Sequence, residues 1–123
     1  EWIILDIDDT LLDYRTGSLS ALKKSLASNG HEYCNEHYQI FSDIDSKLWL
    51  EAQEGRLTPN QVVLKRFEEL SVAIEADIDP RQLSTSFIEN LVRDTFLVPD
   101  VFDLLDSLHG KFNLVAATNG ITF

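Results

Sequence analysis

Two short apolar runs constrain what this chain can fold into, because the pattern places no strand between them. Near the start, Trp2-Ile3-Ile4-Leu5-Asp6 reads as a short, fully buried strand; near the end, the run Phe112 to Ala117 reads as another. The first runs into Asp8-Asp9-Thr10 and the second into Thr118-Asn119-Gly120, both polar turns. Strand, helix and strand in that order give a parallel pair with a right-handed crossover. Ligands on open parallel sheets bind beyond the carboxyl ends of the strands. The pattern therefore predicts one rim holding Asp6, Asp8, Thr118, Asn119 and Gly120.

The long interval reads as helices. A polar loop is expected through Gly17, then a helix with Leu19, Leu22 and Leu26 on one face, stopped at Asn29-Gly30. A second helix covers roughly Asn35 to Glu54, with Ile40, Ile44, Leu48 and Trp49 spaced for one buried side and Gly55 closing it. Thr58-Pro59 and Asp79-Pro80 each supply an N-cap followed by proline in the first turn. The helices they open would bury Val62, Val63, Phe67 and Leu70, then Leu83, Phe87, Leu91 and Val92. Pro99 opens one more, with Val101, Leu104, Leu105 and Leu108 on one face and His109-Gly110 as its end. The expected class is α/β: a partial core from residues 1–15 and 97–123, two parallel strands with a crossover helix. An inserted block of four helices, residues 16–96, would emerge beside the rim as a cap.

Asp6 and Asp8 are two apart on an extended segment, so their carboxylates face one side. Like charges that close need a cation or a shared proton. That points to a metal site or an acid/base pair. A formal net charge of −11 argues against a partner built on a nucleic-acid backbone, yet a bound divalent cation can reverse the local field for a small anion. Cys34 is the only cysteine, which excludes an internal disulfide and fits a reducing, cytoplasmic setting. No run is long and apolar enough to span a bilayer, and no signal peptide is visible. The chain starts at Glu1 without a methionine and stops just after a strand-turn signal, so both ends read as edges of a longer protein. A calcium loop is excluded, since neither the glycine nor the closing glutamate falls at the required offset from Asp6. His31, His37 and His109 lack paired metal spacing and read as surface or helix-end residues. Trp49 reads as helix core, with stacking on a nucleobase as the alternative. Tyr14 and Arg15 lie just past the first strand-turn, within reach of a leaving group.

Asp6-Ile7-Asp8-Asp9-Thr10-Leu11 after an apolar strand resembles the first motif of the haloacid dehalogenase (HAD) superfamily. Phe112 to Ala117 followed by Thr118-Asn119-Gly120 resembles its second motif, and the helical insertion resembles its type 1 cap. Leu48-Trp49 through Gly55, Thr58, Arg66-Phe67-Glu68 and Thr118-Asn119-Gly120 are similar to house-cleaning pyrimidine 5'-nucleotidases. The resemblance implies a phosphatase in which Asp6 is the nucleophile and forms an aspartyl-phosphate. It implies Mg²⁺ held by the Asp6 side chain and the Asp8 backbone carbonyl, with the Asp8 carboxyl as acid and base. Thr118, Asn119 and Gly120 would cradle the phosphoryl group, and the substrate would be a nucleoside monophosphate. Dehalogenases proper lack the second acid, so Asp8 favours phosphoryl transfer. A phosphoglycolate or sugar-phosphate phosphatase, or a mutase, is the nearest enzyme alternative; a non-catalytic binding module is the other. The family's later Lys or Arg, its late acidic pair and three of its five strands match nothing up to Phe123, which implies a chain inactive alone. Oligomeric state is left open.

Overall fold

The computed structural model describes residues 1–118. Its elements run β1 (Trp2–Asp6), α1 (Tyr14–Ser28), α2 (Asn35–Gln53), α3 (Pro59–Ala73), α4 (Pro80–Arg93), α5 (Val101–Leu108) and β2 (Asn113–Ala117). No helix among the described residues is long and apolar enough to cross a membrane.

Local capping chemistry sets most helix starts. The Thr58 hydroxyl accepts from the Gln61 N–H at 3.2 Å while Gln61 Oε1 accepts from the Thr58 N–H at 2.8 Å, a reciprocal cap ahead of Pro59. Asp79 accepts from the Arg81 N–H at 3.0 Å, and Pro80 follows with its φ already helical. The expected loop through Gly17 is corrected: α1 begins at Tyr14, because Asp13 caps it by accepting from the Thr16 N–H at 3.0 Å. Gly17 is inside this helix for a packing reason. A Cβ there would already touch Leu91 at 3.4 Å, so its lack of a side chain lets α1 and α4 lie close.

The core of the helical block is made by side chains from all four helices. Phe41, Phe67 and Phe87, on α2, α3 and α4, are fully buried, with ring centroids 5.1 to 5.8 Å apart. Ala21, Leu22 and Leu26 of α1 close the cluster with Leu70 and Leu83. Val92, expected on the apolar stripe of α4, is exposed instead, while its neighbour Leu91 turns to α1.

The strands pair in parallel, with Ile4 opposite Val115 and Asp6 opposite Ala117. The first strand is not fully buried as its apolar run suggests; exposure alternates along it, and Trp2 and Ile4 are 70% and 72% exposed. A two-stranded sheet leaves one face without cover among the described residues, and Leu104 of α5 is exposed for the same want of a neighbour. Two linkers join the halves side by side. The Asp13 N–H donates to the Phe96 carbonyl at 2.9 Å and the Val98 N–H to the Leu11 carbonyl at 3.0 Å, with Leu12 and Leu97 bridged antiparallel. This strap sets the helical block beside the carboxyl ends of the strands.

Candidate active site

Beyond Asp6 the chain folds back in a tight loop. The Ile7 carbonyl accepts from the N–H groups of Thr10, Leu11 and Leu12 at 3.3, 2.8 and 2.9 Å, and the Asp9 N–H donates to the Leu12 carbonyl at 2.8 Å. Closing the loop takes Asp9 to a φ of 59°, a left-handed conformation that Asp tolerates better than most residues. Asp9 Oδ1 accepts from the Tyr14 N–H at 3.2 Å and so ties the loop to the start of α1. None of these loop bonds uses the Asp8 carbonyl.

Asp6 is exposed at the strand end, and its Oδ2 accepts from the Thr10 hydroxyl at 3.1 Å. The parallel register delivers Thr118 from the other strand, and its hydroxyl donates to Asp8 Oδ2 over 3.5 Å. Partial burial pushes the Asp8 carboxyl above its ordinary value, and the charges of Asp6 and Asp9 push the same way; the Thr118 contact opposes them. Asp6, Asp8 and Asp9 take part in none of the ion pairs among the described residues. Two mutually repelling carboxylates, with no ion-pair partner and no bond to the Asp8 carbonyl in the loop among the described residues, suit Mg²⁺. This ion takes hard oxygen ligands, often one or two carboxylates with waters completing the shell. No group of three His, Cys or acidic side chains converges there among the described residues, so any ion would draw on other donors as well.

The rim opens into a cavity of about 720 Å³, a size usual for a small-molecule site. Asp8, Asp9 and Thr118 line it from the strands; Tyr14, Trp49 and Arg66 line it from the helices. Asp6 stands at the strand end outside this lining. Trp49 is half-buried and faces the cavity, so it is not simply helix core. Arg15, expected as a substrate contact, is exposed and does not line the cavity. Its carbonyl instead accepts from Ser18 and Tyr38, as its place in the first turn of α1 dictates. Asn119 and Gly120 lie outside the described residues.

The helical wall holds a cluster that periodicity does not single out. Tyr14 donates its phenolic O–H to Asp45 Oδ2 at 3.1 Å, and Arg66 Nη1 donates to Asp45 Oδ1 at 2.9 Å and to the Tyr14 oxygen at 3.3 Å. Asp45 and Arg66 are both nearly fully buried. Burial drives the Tyr14 phenol far above its ordinary range; Asp45 adds to the rise and Arg66 opposes it. The buried side of α2 carries Phe41, Asp45 and Leu48, while Ile40, Ile44 and Trp49, expected there, are only half-buried; a lone charge on that side demands a partner.

No protein-family model matches the chain. A Bacillus subtilis protein named HAD-hydrolase YfnB is 28% identical over 120 residues, 98% of this chain and 51% of its own length. Pyrimidine 5'-nucleotidase YjjG of Escherichia coli is 26% identical over 122 residues, 99% of this chain and 52% of its own. Pyrimidine 5'-nucleotidase PynA of Streptococcus pneumoniae is 27% identical over 123 residues, with 99% and 52% covered. A crystal structure of YfnB bound to magnesium, described as revealing interdomain movement, superposes with a TM-score of 0.93 at 27% identity. The match covers 99% of this chain and 55% of that one. The chain thus spans about half the length of the relatives it matches. Its homologues are HAD hydrolases and pyrimidine 5'-nucleotidases, and its two parallel strands and five helices have the α/β arrangement of part of a HAD hydrolase.

Proposed function

We propose that the protein carrying this chain is a Mg²⁺-dependent phosphate monoester hydrolase acting on nucleoside 5'-monophosphates. The observation that supports this best is the meeting of Asp8 and Thr118, far apart in sequence, at the mouth of the cavity that Trp49 and Tyr14 also line. In this reading residues 1–15 and 97–123 form the catalytic core, and residues 16–96 form a cap that selects the leaving group.

An Asp6 carboxylate oxygen attacks phosphorus, forming an aspartyl-phosphate as the ester P–O bond breaks. The departing ribose oxygen takes its proton from the Asp8 carboxyl. Water then attacks the same phosphorus, Asp8 removes its proton, and inorganic phosphate leaves with Asp6 restored. Thr118, with Asn119 and Gly120 after it, holds the phosphoryl oxygens. Mg²⁺ on the Asp6 carboxylate and the Asp8 carbonyl would offset the like charges of nucleophile and phosphate.

The test is Asp6→Asn in the full-length protein, assayed on a panel of nucleoside monophosphates, phosphoglycolate and sugar phosphates. Turnover should fall by roughly three orders of magnitude or more, as for loss of a covalent nucleophile. Undiminished turnover removes Asp6 from that role. Preference for phosphoglycolate or a sugar phosphate in the wild-type protein removes the nucleotide.

A further inference from the structure

We propose that Arg66, clamped by Asp45 and Tyr14 in the cavity wall, is a specificity-determining residue that donates a hydrogen bond to a ring carbonyl of a pyrimidine base. The inference rests on reading the Asp6–Asp8 rim as a nucleotidase site, and it assigns the opposite wall to the base.

Arg66 has donors to spare. A guanidinium carries five N–H donors and no acceptor. Nη1 serves Asp45 and Tyr14, whereas Nε is buried with no hydrogen-bond partner. Nε is closed off from the cavity, so the donors left for a ligand are those of Nη2, on a residue that lines the cavity wall. Asp45 takes one bond from Tyr14 and one from Arg66 Nη1.

Charge decides which acceptor fits. Among the charged residues lining the cavity, Arg66 is the one cation among the described residues, and it is already matched by Asp45. Asp94 is paired with Lys24, while Asp8, Asp9 and Asp13 line the same space without an ion-pair partner. A second anionic group, the carboxylate of phosphoglycolate or the extra phosphate of a bisphosphate, would meet uncompensated negative charge there. A neutral carbonyl meets only the spare donors. The flat apolar wall suits a flat ring: Trp49, Leu91 and Phe96 border the cavity on the helical side.

Arg66 is also held still. Its guanidinium carbon lies 4.8, 5.1 and 5.7 Å from the ring centroids of Phe87, Phe67 and Phe41. Asp45 and Tyr14 act as positioning residues that fix the fork from two further helices. Uracil and thymine present two carbonyl oxygens, whereas adenine accepts only through ring nitrogens, so the fork distinguishes them by the kind and place of the acceptor.

The competing account is a purely structural pin between α1, α2 and α3, and binding separates the two. Equilibrium binding of UMP, AMP and inorganic phosphate to the full-length protein is measured by calorimetry, with Mg²⁺ chelated to suppress turnover. Arg66→Met should weaken UMP by about tenfold or more, the usual worth of a hydrogen bond from a charged donor. AMP and inorganic phosphate should bind as before. Arg66→Lys retains a cation for Asp45 while losing the fork, so it keeps the fold measurable and should still weaken UMP selectively. Equal loss of UMP and AMP, unchanged UMP binding in Arg66→Lys, or a wild-type protein that binds UMP no better than AMP overturns the assignment. Failure of the nucleophile reading shows separately, as hydrolysis surviving Asp6→Asn.

Discussion

The helical block and the strand pair divide the work of this chain unequally. The block buries three phenylalanines and a set of leucines completely. The strand pair leads into the Asp6–Asp8 rim from a sheet whose Trp2 and Ile4 are largely exposed. Burial is concentrated away from the rim that holds Asp6 and Asp8. Both acids stand exposed, at and just beyond the strand end, where an ion or a substrate can reach them. The packed helices can therefore hold a shaped wall opposite the acids without drawing on the sheet for rigidity.

Substitutions in the 123-residue chain test this division. Phe67→Ala removes a ring from the centre of the aromatic cluster and should cost about 3–5 kcal/mol, read as a lowered urea midpoint of unfolding. A cost near that of a surface change would show that the block does not carry the fold. Thr58→Ala breaks the reciprocal cap of α3 and should cost about 1 kcal/mol in the same measurement.

A smaller effect comes from pH. Burial, with His31 beside it, holds the His37 imidazole below its ordinary 6.5. The unfolded chain then binds the proton more readily, so this contribution is complete above that value and fades as pH falls below it. Protonation also takes away the ring nitrogen that accepts from the Cys34 N–H at 3.2 Å. The melting temperature should drop by no more than about 2–3 °C on this account. In His37→Gln, whose amide oxygen can still accept, that part of the pH dependence should vanish. Least of all, Ile4→Ala on the open face should change stability by under about 0.5 kcal/mol. A loss several times larger would mean that the sheet contributes as much as the helices.

What could be read from residue order follows from how local each signal is. The starts of α3 and α4 were legible because Thr58-Pro59 and Asp79-Pro80 satisfy their own helix ends within a single turn. The approach of Thr118 to Asp8 was legible through topology, since parallel strands bring their carboxyl ends to one rim. Gly17 concealed the start of α1, because a glycine chosen for close packing against Leu91 looks like a loop residue in sequence. The exposure of β1 was hidden by its apolar run, which cannot report how many neighbours a strand has. Arg66 was read only within the Arg66-Phe67-Glu68 resemblance and Asp45 not at all, because their meaning lies in a contact between two helices.

The paired linkers have a mechanical consequence. Because Leu11–Asp13 and Phe96–Val98 are laced together by two backbone hydrogen bonds, the helical block is fastened to the sheet by one double cord and not by two separate tethers. Such a cord resists splaying and yields most readily to twist, so the block has in effect a single axle to turn on. Asp9 grips the first residue of α1 just beyond it, and any turn of the axle is felt at once in the loop that presents Asp8.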